Sequence, residues 1–350
     1  MPTAASMPPN PAQRRARPVH PFKIVGVTLG AIVAALFVAY TAKLLLVLFA
    51  GAILALLLSK AASAVSRHTR LSYRIAVGCV VAVWLGATIA ACFLIGPQVV
   101  HQVSLLVDAL PAALNDVLRA LHRSSLGPAV PPEGTPPSRL LPPPTKVVSV
   151  AASVMGGSFD VLAALVVIFF MGIYGAAQPR VYVESVLALT PGAYRVRLEE
   201  VLSAVGSTLT RWLVGRLVAM AFVGVTTAIA FSLLHVPLAL TLALFAGLLT
   251  FIAYLGAIIS AIPPMLLAFT VSPMTAVWVL VLYTVIHVVE GYLLTPLIAR
   301  AAVHFPPLLT LTGQVVLGSL VGVLGLTFST PLLVVAIVSA KTWRKRSRVH

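Results

Sequence analysis

Residues 238–271 read LALTLALFAGLLTFIAYLGAIISAIPPMLLAFTV, about 34 residues without a single charge. As one straight helix this stretch would be roughly 51 Å long, against a hydrocarbon core of about 30 Å, so it has to break or fold back. The punctuation lies in its middle: Tyr254, Gly256 and then Pro263-Pro264. Leu308 to Ala340 has a similar length and similar breakers, Gly313, Gly318, Gly322 and Gly325, then Pro331. Each stretch begins directly after a proline, Pro237 or Pro307, which makes a weak internal repeat.

The rest of the chain has the same apolar character. Of 350 residues 60% are hydrophobic and 9% charged, against roughly 25% charged in an ordinary soluble domain. The expected class is therefore an all-α polytopic integral membrane protein. It has six to eight spans, with two broken or re-entrant hairpin segments, 238–271 and 308–340, in its C-terminal half. The formal charge of +16 does not point to nucleic acid, because the basic residues lie between apolar runs and at the ends, as loops beside membrane spans require. Cys79 and Cys92 sit about 20 Å apart on one apolar helix and cannot bond to each other, so neither a disulfide framework nor a metal site is expected.

Residues 1–21 are rich in Pro, Ala and Arg and read as a disordered basic cytoplasmic tail. The apolar stretch that follows is too long for a cleaved signal and lacks a clear cleavage site, so 22–96 reads as retained membrane helices. Ile24–Tyr40 and Leu44–Leu58 suggest a helical hairpin turning near Thr41 to Lys43, with a third span from Ile75 to Ile95. In 97–150, Val103, Leu106, Leu110, Leu114, Val117 and Leu121 recur at helical spacing. They mark an external amphipathic helix, followed by a loop carrying eight prolines between Ser124 and Lys146. A span in 151–180 ends at Gln178-Pro179-Arg180. A cytoplasmic amphipathic helix, 181–216, then leads to a transport region, 217–340, and a basic cytoplasmic tail, 341–350.

Two topologies keep both termini inside. Either both long segments cross once, giving eight spans with Arg300 outside, or both are re-entrant, one entering from each side, with six full crossings and Arg300 inside. The positive-inside rule favours the second.

Chemistry can reside where a polar group stands in the apolar layer at a cost of several kcal/mol. Glu290 is the only acidic residue after Glu200. His287 lies three residues before it on the same helical face, and Thr295-Pro296 follow about a turn later. The group either contacts a polar solute or a proton, or serves structure by accepting from freed backbone amides. Tyr254, Gly256, Gly318, Gly322 and Gly325 belong to the same candidate site as breaks lining a cavity, although Gly318 and Gly322 also form a G-x-x-x-G packing motif. Asp160 reads as a residue at a helix N-terminus. No H-E-x-x-H, phosphate loop or G-x-S-x-G occurs, so an enzyme, a cofactor and self-powered nucleotide hydrolysis are not expected.

Leu189-Thr190-Pro191 with Arg195 and Arg197, Trp212 to Arg216, Phe251 to Gly256 with Pro263, Val289 to Pro296, and Gly322 to Gly325 with Pro331 together resemble the autoinducer-2 exporter family. The likeness covers about Pro21 to Lys341. The chain departs from the family where Ala253 replaces a proline, where Arg216 replaces a glutamine, and near His287. The resemblance implies a multi-pass permease of the bacterial inner membrane, assembled as a homo-oligomer. It would export a small polar solute such as the quorum-sensing signal autoinducer-2 by alternating access. A sodium or other cation/proton antiporter and a non-transporting membrane scaffold are the alternatives.

Overall fold

The structure is a computed structural model that describes residues 21–94, 96–123, 159–294 and 306–346. Among these residues every regular element is a helix: α1 (Pro21–Thr69), α2 (Tyr73–Leu94), α3 (Gly96–His122), α4 (Phe159–Ala177), α5 (Pro179–Ala188), α6 (Gly192–Leu233), α7 (Ala239–Leu249), α8 (Leu255–Val271), α9 (Pro273–Val289), α10 (Pro307–Val321) and α11 (Val323–Arg346). The chain divides into two units, Met1–Lys43 and Leu44–His350. In the first, residues 21–43 are helical. The turn expected at Thr41 to Lys43 is absent, because those residues are part of α1. None of the three is Gly, Pro, Asn or Asp, so nothing there interrupts helical hydrogen bonding.

In the second unit, five helices among the described residues are long and apolar enough to cross a bilayer: Thr41–Thr69 with its first residues in the other unit, Tyr73–Ala90, Gly192–Leu233, Pro273–Tyr292 and Val323–Arg344. Leu162–Ala177 and Pro179–Ala188 make a sixth if taken as one span bent by 92°. The bend sits at Gln178, where Pro179 cannot donate into the preceding helix. Large apolar side chains such as Val83, Phe93, Ile229 and Val285 stand exposed, as lipid-facing residues do. The chain is a multi-pass membrane protein.

No break in the helix accompanies the boundary expected at Arg216 between a surface helix and a span. Gly192–Leu233 is one helix of 42 residues, about 63 Å long and roughly twice the apolar layer. Its first half carries the charges Arg195, Arg197, Glu199, Glu200 and Arg211. The expected stripe of Leu198, Val201, Leu202, Val205 and Leu209 faces inward, with Val201 and Leu209 buried. Leu209 and Leu213 pack with Val334 and Val338 of α11 and Ile53 of α1. At the same end Arg197 lies over the Trp343 ring at 4.3 Å and also donates to the Trp343 carbonyl.

Both long apolar segments are broken, as their length demands. The first splits at 250–254 into α7 of 11 residues and α8 of 17, about 16 and 25 Å, each too short to cross alone. The break is not at the proline pair: Pro263 and Pro264 lie inside α8, as prolines can in a membrane helix when neighbouring groups re-satisfy the backbone they free. The second segment splits at Gly322, between α10 and α11. A Cβ on Gly313 would meet Leu333 at 3.1 Å and one on Gly318 would meet Leu326 at 2.7 Å. Rising numbers on one arm therefore pair with falling numbers on the other, which makes the segment an antiparallel hairpin.

The two hairpins enter from opposite ends of α6. The α7–α8 hairpin starts from the turn after Leu233 and packs in a core with Val223 and Phe231 of α6 and with Val279, Tyr283 and Ile286 of α9. The base of the α10–α11 hairpin reaches the other end, through Val334, Val338 and Trp343. The amphipathic helix expected within 97–150 is α3, which packs on α8, with Ala109 against the same core. Asp160 is the second residue of α4. The proline-rich loop, Arg300, residues 1–20 and residues 347–350 lie outside the described residues, whereas Lys341 to Arg346, expected as part of a tail, continue α11 as helix.

Candidate functional site

The tip of the first hairpin meets a polar cluster that the helices bring together from distant parts of the chain. Helix α9 does not end in an ordinary turn. Glu290 to Leu294 form a π-turn, a wider coil that recurs at functional sites, and Glu290 is its first residue. Its Oε1 lies 3.2 Å from Nη1 of Arg216 on α6, and the two side chains are 14% and 17% exposed. Nδ1 of His287 is 3.7 Å from Glu290 Oε2, beyond a good hydrogen bond but close enough to feel the charge. Desolvating two such groups costs most of what their attraction returns, so the pair adds little net stability. Removing one partner leaves a buried charge uncompensated, at about 3–5 kcal/mol.

From this pair the polar contacts run two ways. Toward α8, the His287 and Tyr283 rings lie 4.5 Å apart. The Tyr283 and Ser260 hydroxyl oxygens are 2.5 Å apart, and Ser260 donates to the Gly256 carbonyl at 2.6 Å. Toward the break between α7 and α8, Arg216 Nε donates to the Phe251 carbonyl at 3.4 Å. The Phe251 ring meets Trp212 of α6 and Phe328 of α11 edge-on, with centroids 5.8 and 6.5 Å away.

The break itself is strained. Tyr254 has φ 58 and ψ −63, and the Leu255 amide donates to the Ala253 carbonyl at 2.7 Å. This is a γ-turn of the rare positive-φ kind. Next to it, a Cβ on Gly256 would lie 1.8 Å from the Leu249 carbonyl oxygen, so only glycine lets the two arms approach this closely. Gly325 plays the same part in the second hairpin, 1.9 Å by the same measure from the Leu317 carbonyl oxygen. Gly322, at φ 70 and ψ −142, occupies a region essentially closed to other residues.

Of the residues picked out from the sequence, Glu290 and His287 stand together. Tyr254 and Gly256 form the break that Arg216 ties to them. Gly318, Gly322 and Gly325 shape the second hairpin through contacts with its own arms. Both readings of G-x-x-x-G apply there, since Gly318 packs and Gly322 breaks. Thr295 and Pro296 lie outside the described residues.

The sequence reading missed Arg216 as a site residue, together with Tyr283, Ser260 and Gln314. Arg216 looked like a flanking charge because it precedes an uninterrupted apolar run. Gln314 had a signal, as the only carboxamide between Leu308 and Ala340. Among the described residues no three His, Cys, Asp or Glu side chains gather around a common point that could hold a metal ion.

Comparison with known proteins gives the family. "Putative transport protein YueF" of Bacillus subtilis (strain 168) is 24% identical over 213 residues, 59% of this chain and 58% of that protein. "Putative transport protein YrrI" of the same organism is 27% identical over 162 residues, 46% of each chain. The chain thus spans about half the length of the curated relatives it matches. The profile of the AI-2E family transporters matches residues 27–345, which takes in every break and every member of the polar cluster, and on that match the chain belongs to the AI-2E transporter family.

Proposed function

We propose that this chain is a membrane transporter that exports a small polar solute, autoinducer-2 or a related compound, by alternating access. The observation that carries the reading is the Glu290–Arg216 pair. It is buried in an apolar layer where charge is expensive and stands where the first of two oppositely inserted broken hairpins ends. Structural economy does not explain it, because two apolar side chains of similar size would stabilise that position as well or better. A polar solute that crosses the layer needs such a place, with hydrogen-bonding groups that can change partners as the hairpins shift. The family membership and the names of the two Bacillus relatives support transport. The basic ends and the resemblance support a bacterial inner membrane with both termini in the cytoplasm, and assembly as a homo-oligomer within the bilayer.

The cation/proton antiporter is the weaker alternative for a specific reason. The Glu290 carboxylate is already matched by the Arg216 guanidinium, which a sodium ion would have to displace. The non-transporting scaffold leaves the buried pair without a role.

The test is autoinducer-2 in the medium of cells with and without the chain, alongside Glu290→Ala. Export by the wild type and its loss in a variant that still inserts and assembles is the expected result. Equal release by cells with and without the chain would remove the export reading. An internal pH change on adding sodium to vesicles would turn the assignment to antiport.

A further inference from the structure

Gln314 is fully buried, yet it is not used within its own hairpin. Its Nε2 donates across to the Ala253 carbonyl of the other broken segment at 2.7 Å. That carbonyl is the acceptor inside the γ-turn at Tyr254 and already takes the Leu255 amide at 2.7 Å. The amide's other atom, Oε1, has no hydrogen-bond partner among the described residues. An unsatisfied buried acceptor costs free energy, so the carboxamide is oriented for Ala253 at the expense of its own satisfaction. A second tie acts in parallel, because Phe251 of the same turn is wedged against Phe328 of α11. The strained tip of the first hairpin is thus fixed to both arms of the second, polar contact to α10 and aromatic contact to α11.

We propose that Gln314 is a positioning residue of the transport cycle: it fastens the Ala253–Leu255 turn to α10, so that the two broken hairpins change position as one body against α6 and α9. This rests on the transport reading, and it adds which parts move together. Arg216 then forms the contact between that body and its frame, since its Nε reaches Phe251 from α6 while its Nη1 holds Glu290 at the end of α9. Partner exchange at Arg216, where its bond to the Phe251 carbonyl crosses from frame to body, accompanies movement, while the Gln314 bond persists through it.

The experiment uses the full chain in lipid nanodiscs and in cells. Gln314→Met keeps length and volume but removes the donor. Amides of residues 251–256 are expected to exchange with deuterium about tenfold faster, the ratio a lost buried hydrogen bond corresponds to, with Val279 to Ile286 unchanged. Autoinducer-2 release is expected to fall in step. In a background without Cys79 and Cys92, Ala253→Cys with Gln314→Cys joined by dibromobimane is expected to restore release, because a covalent tie replaces the hydrogen bond. Unchanged exchange at 251–256 in Gln314→Met, or a tie that abolishes the release remaining in the unjoined double variant, would overturn the proposal. A wild-type chain that releases no autoinducer-2 would count against the export reading alone, and the exchange comparison would still decide the strut.

Discussion

At the scale of single residues, the cost of a lone buried charge governs the behaviour of the site. Glu290→Gln takes the carboxylate from Arg216 and Arg216→Gln takes the guanidinium from Glu290, and each is expected to lower stability by about 3–5 kcal/mol. The double variant removes both charges and is expected to lose much less than the sum. Thermal unfolding in detergent of the four proteins, read as a double-mutant cycle, checks this. Additive losses would mean that the 3.2 Å contact carries no coupling. Glu290 was legible in the sequence because an isolated acid in an apolar run is conspicuous. Arg216 was not, since the run of charges preceding it in α6 makes an arginine there look like one more solvated residue. Only the position of the first hairpin's tip shows that it points into protein.

Among the elements, glycine at two crossings decides whether the hairpins close. Gly256→Ala and Gly325→Ala each drive a methyl to within 2 Å of a carbonyl oxygen, which backbone displacement alone can relieve. Both are expected to reduce the yield of folded protein and to lower the unfolding temperature by several degrees. Gly291→Ala, with nothing within 4 Å of the new Cβ, is expected to leave both unchanged, and a comparable loss there would show that the close approach is not the cause. That the long segments must break followed from length and bilayer thickness alone. Their places were marked too, by Tyr254 and Gly256 and by Gly322, but the part of the proline pair was not. Proline is the stronger breaker in water, yet Pro263-Pro264 stay helical and the chain turns at Phe251 to Tyr254, which contains neither glycine nor proline. Tertiary ties from Arg216 and Gln314 hold that turn, and ties between residues so far apart in sequence leave no local signature. The missing turn at Thr41 to Lys43 has the converse origin, a polar interruption without any residue that stops a helix.

For the whole molecule, the bases of the two hairpins lie at opposite ends of α6, and the tip of the first meets Arg216 of the buried ion pair between them. Class, approximate span number and the presence of two broken segments were readable from hydropathy and length. The relative direction of the hairpins depended on one arginine in the sequence and is visible in the structure through Val334, Val338 and Trp343 at one end of α6 and the turn after Leu233 at the other. The most direct measurement labels single cysteines with a membrane-impermeant thiol reagent in intact cells and in inverted vesicles, in a background lacking Cys79 and Cys92. Leu189→Cys and Pro306→Cys are predicted to react from one side of the membrane, and His235→Cys and Ser272→Cys from the other. Reaction of Pro306→Cys from the same side as His235→Cys would contradict opposed insertion and remove the geometry on which the site depends.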